Sequence, residues 1–221
     1  MTSLELLEIC SGQSPNASII WLHGLGADGY DFAPVVEALQ PMPHIRFILP
    51  HAPAVPVTIN GGYIMPAWYD IYGSDIANRQ DEAGMRASQS QIEALIAEEK
   101  RRGIAANRIL LAGFSQGGAI ALHTGLRYAE KLAGIMALST YLPLHEKFPG
   151  EHSEQNQHTP VFMAHGSFDD IIPIKTAISS KILLEKLGYD VEWHDYPMPH
   201  SLCNEEIADL RDFILRVLPD A

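Results

Sequence analysis

An α/β fold, with a mainly parallel sheet covered by helices on both faces, is what this 221-residue sequence predicts. Short apolar runs ended by Gly, Pro, His or Ser alternate along the chain with longer segments of helical periodicity. No Ser/Gly-rich or strongly charged linker interrupts that alternation, so residues 1–221 read as one domain.

Taken in order, Met1–Ile9 looks like an edge strand, and Ser18–His23 is the first central strand, followed by a helix over Tyr30–Leu39. A second apolar run, Ile45–Pro50, leads into a long stretch at about 51–79 and then a helix over Asp81–Gly103. Lys100, Arg101 and Arg102 suit the end of that helix, where positive charge complements the dipole. Strand Arg108–Phe114 and helix Gln116–Glu130 follow, then strands Leu132–Ser139 and Pro160–His165. Helix Pro173–Gly188, strand Asp190–Tyr196 and helix Asn204–Leu218 complete the pattern, with several helices showing i, i+3, i+4 apolar spacing.

Composition narrows the function. With 47% hydrophobic and 19% charged residues, the chain reads as an ordinary globular protein rather than a disordered one. A formal net charge of −12 works against nucleic-acid phosphates and anionic membranes. Cys10 and Cys203 lie far apart and match no redox or zinc spacing, so reduced thiols, a cytoplasmic location and no metal are expected. The N-terminus lacks the basic and apolar regions of a signal peptide, and no run approaches the about 20 apolar residues that cross a bilayer. No stable membrane insertion is therefore expected.

The chemistry concentrates at Gly113-Phe114-Ser115-Gln116-Gly117, which joins an apolar run to a helical one. A G-x-S-x-G between strand and helix is the nucleophile elbow of α/β-hydrolases, where a strained turn exposes the serine hydroxyl above the sheet. Gly113 and Gly117 let strand and helix approach closely at that turn. Ser115 then stands at a helix N-terminus, where free N–H groups favour a developing oxyanion, and Gln116 offers one of them.

In such sheets ligands bind beyond the carboxyl ends of the strands. One such loop, Gly24-Leu25-Gly26-Ala27-Asp28-Gly29, has the form of a dinucleotide fingerprint. That reading needs an acidic residue about 20 positions on, and no Asp or Glu occurs from Ala38 to Tyr69. The alternative is a second oxyanion donor, for which Leu25 N–H is the candidate.

The order of the triad in α/β-hydrolases is Ser, acid, His, so the base should lie late in the chain. His123 falls on the helix after the nucleophile, His145, His152 and His158 in a polar stretch before any orienting acid, and His194 within a strand. His200 follows Pro197-Met198-Pro199 in a loop and is the candidate base, imidazole being able to cycle a proton near neutral pH. Asp169 and Asp170 both follow the strand before it, and spacing does not separate them.

With these blocks assembled, the chain resembles the carboxylesterase and acyl-protein thioesterase family, also called phospholipase/carboxylesterases, of α/β-hydrolases. Trp21–Gly29, Gly113–Gly118, His165-Gly166-Ser167-Phe168-Asp169 with Pro173, and Met198-Pro199-His200 resemble its blocks in order and nearly end to end. The resemblance implies an α/β-hydrolase fold without a large cap, Ser115 as nucleophile, Asp169 rather than Asp170 as acid, and His200 as base. It also implies Leu25 and Gln116 as backbone oxyanion donors, no cofactor, and weak homodimerisation as an option. Ser167 departs from the family, many members of which carry Asp there.

The expected reaction is hydrolysis of short- to medium-chain carboxylic esters through an acyl-enzyme. The alternatives are acyl-protein thioesterase or lysophospholipase activity and, in another class, a non-catalytic hydrolase-fold binding module, against which the filled catalytic positions argue. Partners are then an ester or thioester, an acylated protein or a lysophospholipid. For the acyl groove, the apolar residues of the 51–79 stretch are candidates: Val55, Val57, Ile59, Ile64, Met65 and Trp68.

Overall fold

The computed structural model describes residues 4–10, 12–73 and 79–219. Its strands are β1 (Leu6–Cys10), β2 (Ala17–Leu22), β3 (Ile45–Pro50), β4 (Ala54–Val57), β5 (Tyr63–Pro66), β6 (Ile109–Phe114), β7 (Gly134–Leu138), β8 (Val161–Gly166) and β9 (Val191–Tyr196). Its α-helices are α1 (Ala33–Leu39), α2 (Glu82–Arg101), α3 (Gln116–Gly125), α4 (Ile174–Lys186) and α5 (Asn204–Val217). A seven-stranded sheet runs in the order β1-β3-β2-β6-β7-β8-β9, and β4 and β5 form a separate two-stranded hairpin. Within the large sheet only β1 runs antiparallel to its neighbour, in register Leu6 with Pro50 through Cys10 with Arg46.

Period-two alternation explains why these runs are strands buried on both faces. Ile19, Trp21, Phe47, Leu110, Ala112, Met136 and Phe162 point to one face, where α1 and α5 cover them with Val36, Leu39, Leu210, Phe213 and Ile214. Ile20, Leu22, Ile48, Ile109 and Leu111 point to the other face, against Met85, Ile92 and Ile96 of α2 and Ala119 and Ile120 of α3. α4 closes that second face further along through Leu184, which packs with Val161, Met163 and Ile135.

Most of the expected elements stand within a residue or two of their predicted ends. The first strand begins only at Leu6, and the helix expected from Tyr30 opens as a 3-10 turn, Gly29–Phe32, before α1; two further elements differ for physical reasons. The helix expected over Gln116–Glu130 stops at Gly125. Beyond it the carbonyls have partners outside a helix: Leu126 O accepts Ser153 N–H at 2.9 Å, and Asn156 Nδ2 donates to Tyr128 O and Glu130 O at 2.8 and 2.9 Å. The 51–79 stretch is no plain coil but contains the β4–β5 hairpin, in register Ala54 with Pro66 to Val57 with Tyr63. Residues 74–78 of that stretch, and 1–3 of the expected first strand, lie outside the described residues.

Because β2, β6, β7, β8 and β9 are parallel, their carboxyl ends fall along one rim. His23–Gly29, Ser115, Tyr141, Asp169 and His200 all lie in loops leaving that rim.

Candidate active site

Ser115 sits between β6 and α3 with φ 55 and ψ −121, a conformation a non-glycine residue holds only when its surroundings enforce it. Here they do so from both sides. Ser115 N–H donates to Leu138 O at the end of β7 at 2.8 Å, while Ser115 O accepts Thr140 Oγ1–H at 2.7 Å and Ala119 N–H at 3.1 Å. The flanking glycines make the turn sterically feasible: a Cβ on Gly113 would lie 2.3 Å from Gly117 O, and one on Gly117 2.3 Å from Leu22 O.

The imidazole comes from the loop after β9. Gly166 allows that loop to close over β8, since a Cβ there would fall 2.3 Å from Pro199 O. His200 Nδ1 meets Asp169 Oδ2 at 2.6 Å, and the Asp169 side chain is fully buried. The other oxygen, Asp169 Oδ1, accepts Ile171 N–H at 2.9 Å and Ile172 N–H at 2.8 Å. That division orients the carboxylate: one oxygen is occupied by its own loop and the other is left for the imidazole. Buried His165 stands 3.2 Å from the same Oδ2, its Nε2 also 2.7 Å from Ile172 O, and burial lowers its pKa. Phe114 packs on the His200 ring with centroids 4.7 Å apart.

Leu25 and Gln116, whose backbone N–H groups are the candidate oxyanion donors, line one concavity together with Ser115. Neither N–H has a hydrogen-bond acceptor among the described residues. Gln116 N–H is one of the orphan donors at the start of α3. The Leu25 loop is held by Gly26 N–H to Pro66 O at 2.9 Å and by buried His23. His23 accepts Ala52 N–H at Nε2, 2.9 Å, which leaves Nδ1 to donate to Gly24 O at 2.7 Å. Burial lowers the His23 pKa, in keeping with this neutral tautomer.

Two concavities meet at the serine. One, of about 370 Å³, is lined by Ile59, Tyr69, Ile71, Tyr141, Ile171 and Ile172 as well as Leu25, Ser115 and Gln116. The other, of about 500 Å³, contains Ser115 and His200 between Phe32, Val35 and Leu202. Of the apolar residues that sequence selects for the groove, Ile59 alone lines either. Val57 and Trp68 are buried, the Trp68 indole N–H donating to His23 O at 2.9 Å. Ile64 projects into solvent, Met65 lies by Gly26, and Val55 is half-buried on β4. These five belong to the hairpin's packing or its outer surface rather than to the cavity.

Sequence reasoning missed the residues that replace them. Tyr69 and Tyr141 are buried and share a hydrogen bond, OH to OH at 3.0 Å, with burial raising both phenol pKa values. Tyr141 lies just past β7, at the rim where ligands bind, and that placement was a usable signal. The Gln116 side chain was also unforeseen: its Oε1 accepts Trp68 N–H at 2.9 Å and its Nε2 donates to Tyr69 O at 2.7 Å. The nucleophile turn thereby holds the wall of its own cavity. The other histidines lie elsewhere, His123 against Gln89 and His194 between Glu192 and Asp209. Asp170 reaches the cavity edge but not His200.

A family model described as phospholipase/carboxylesterase matches residues 5–218. An acyl-protein thioesterase 1 of Neurospora crassa is 44% identical over 92% of this chain and 87% of its own length. One from Cryptococcus neoformans var. neoformans serotype D is 39% identical over 98% of this chain and 99% of its own. Among solved structures, acyl-protein thioesterase 2 of Zea mays superposes with a TM-score of 0.86 at 26% identity, covering 97% of this chain and 99% of that one. Arabidopsis thaliana SOBER1 does so with a TM-score of 0.86 at 28% identity, over 91% of this chain and 99% of that one.

Proposed function

The chain belongs to the phospholipase/carboxylesterase family of α/β-hydrolases, a hydrolase of carboxylic esters and thioesters, and from that premise we propose that it removes acyl groups from thioester-linked proteins through Ser115, His200 and Asp169. The observation that carries the reading is the enforced Ser115 conformation on a concavity that His200, paired with buried Asp169, also lines. The sequence placed small-ester hydrolysis first and thioesters second. The names of the curated relatives reverse that order.

His200 takes the Ser115 proton as Oγ attacks the acyl carbonyl, and Asp169 holds the imidazole with Nδ1–H toward itself, so that Nε2 is the working atom. The oxyanion meets Leu25 N–H and Gln116 N–H, donors from two separate loops that need not reorganise as charge develops. Collapse breaks the carbon–sulfur or carbon–oxygen bond, with the imidazolium returning its proton to the departing thiol or alcohol. Water then attacks the acyl-serine through the same base. The apolar wall formed by Ile59, Ile71, Ile171 and Ile172 supports an acyl chain in the cavity of about 370 Å³.

The test pairs fluorophosphonate labelling with turnover of a palmitoylated peptide thioester and a short-chain oxyester. Ser115 should carry the adduct, and Ser115→Ala should lose both the label and about 10⁴-fold or more in kcat while melting at the native temperature. A native-like Ser115→Ala protein with undiminished turnover would sink the assignment. Faster short-chain oxyester hydrolysis with no thioester turnover would restore the small-ester reading.

A further inference from the structure

Given the reaction proposed above, on which this step rests, we infer that the second concavity is a leaving-group site that selects an apolar thiol or alcohol carrying positive charge. The assignment follows from where the proton must go. A tetrahedral carbon on Ser115 Oγ has three other substituents, the oxyanion, the acyl chain and the leaving atom. The oxyanion is directed at Leu25 and Gln116, and the leaving atom must lie within hydrogen-bond reach of His200 to receive its proton. Of the two concavities that meet at Ser115, the one bordered by His200 and Ser201 meets that condition, while the one bordered by Gln116, Tyr69 and Tyr141 lacks His200. Leu25, Ser115 and Ile171 border both.

The chemistry of the walls sets the class of leaving group. Phe32, Val35, Phe114 and Leu202 supply an apolar and partly aromatic surface, and a cation is attracted to aromatic faces. Among the described residues, the ionisable ones on this surface are His200 and Asp31, with no Lys or Arg. Asp31 is exposed, and its hydrogen-bond partner among the described residues is Asp28 N–H, to Oδ2 at 3.0 Å. Asp28 adds a second carboxylate on the same turn, its Oδ1 capping Tyr30 N–H at 2.7 Å. A polyanionic thiol would meet repulsion here, whereas a peptide with basic residues beside its acylated cysteine would be drawn in.

The experiment compares three leaving groups on one acyl chain: choline, its neutral isostere 3,3-dimethylbutanol, and methanol. The wild type should favour the choline ester over the 3,3-dimethylbutyl ester in kcat/KM by about two- to fivefold at low salt, the range for an exposed charge pair. That ratio should fall toward one at high salt. Asp31→Asn keeps the acceptor for Asp28 N–H and removes the charge, so its ratio should approach one, and Asp31→Lys should invert it. Val35→Trp narrows the apolar wall and should slow the 3,3-dimethylbutyl ester more than the methyl ester. A wild-type ratio of one or below, or a ratio that Asp31→Asn leaves unchanged, would overturn the charge selection. Equal slowing of both neutral esters by Val35→Trp would overturn the site. Failure to hydrolyse any of the esters would overturn the serine-hydrolase reading itself, and the inference with it.

Discussion

The nucleophile turn and the β4–β5 hairpin border the same cavity yet are held in opposite ways. Ser115 is bonded through its backbone to β7 and to Thr140, with every residue of α3 after it buried. The hairpin tip is exposed, with Ile59, Tyr63 and Ile64 at 45%, 70% and 62% of full accessibility and its turn glycines, Gly61 and Gly62, at positive φ with open space around them. Strain needs a stiff frame, so the reacting atom sits where the structure is over-determined. Chain selection tolerates adjustment, so an apolar edge on a lightly anchored hairpin suffices.

Glycine substitutions should expose this difference most strongly. Gly117→Ala drives a methyl group against Leu22 O and His23 O, backbone atoms of a central strand end that cannot retreat. We expect a loss on the order of 3 kcal/mol or more, read as a large drop in urea midpoint or as failure to accumulate folded protein. Gly61→Ala meets nothing within 4 Å and suffers only its positive φ, at about 1 kcal/mol. Similar losses at both sites would show that the hairpin is as rigidly framed as the turn.

Gln116 is where the two regions touch, and its truncation should give the next largest effect. Gln116→Ala leaves buried Trp68 N–H and Tyr69 O without their side-chain partners. The cost should be about 2–3 kcal/mol in unfolding free energy. Because Gln116 N–H is unaffected, KM for long acyl substrates should rise more than kcat falls. A kcat loss with unchanged KM would place the side chain with the oxyanion donors instead.

These regions also differ in how far sequence could reveal them. The turn was legible because its signal is local: an apolar run, G-x-S-x-G and a helical run name their own geometry. The succession of main-sheet strands and flanking helices along the chain was legible for the same reason, through periodicity. The choice between Asp169 and Asp170 was not, because it depends on which carboxylate has one oxygen occupied by Ile171 and Ile172 N–H and the other free for a histidine 31 positions away. The cavity wall was the least legible. Val57 and Trp68 look like groove residues by composition, but the hairpin pairing and the indole bond to His23 O turn them inward. Tyr141 is signalled only by its place at the rim just past β7, and Ile172 reaches the cavity from a distant loop that no local pattern reports.

Acid should act on the frame and leave the hairpin alone. His23, His123 and His165 are buried, and burial lowers all three pKa values, His123 to about 3. Each binds a proton in the unfolded chain below its ordinary value of about 6.5 but not in the folded one, so its contribution is complete above that pH and lost as pH falls. The slope is at most about 1.4 kcal/mol per pH unit for each. Buried Glu206 opposes this, its pKa raised to about 8 by burial, so its penalty grows as pH rises from the carboxylate range toward 8. Between about pH 5 and 6.5, His123→Gln should flatten the rise of urea midpoint with pH, and Glu206→Gln should steepen it. Parallel curves for the three proteins would mean that neither group differs between folded and unfolded states.

The smallest effects belong to the hairpin surface, and they discriminate between lining and mere proximity. Ile59 lines the cavity while Ile64 does not, although both are exposed and only the tip of one turn separates them. Because neither is buried, serine at either position should change stability by no more than about 0.5 kcal/mol. Ile59→Ser should nevertheless lower kcat/KM for long acyl chains relative to short ones by about threefold to tenfold. The lower part of that range corresponds to one methylene group of the chain left in water, at about 0.8 kcal/mol or roughly fourfold, and its upper end to somewhat less than two. Ile64→Ser should leave that ratio where it was. If both variants shift chain-length preference equally, the hairpin contributes as a whole exposed surface. If only Ile59→Ser does, selection resides in the cavity edge that faces the serine.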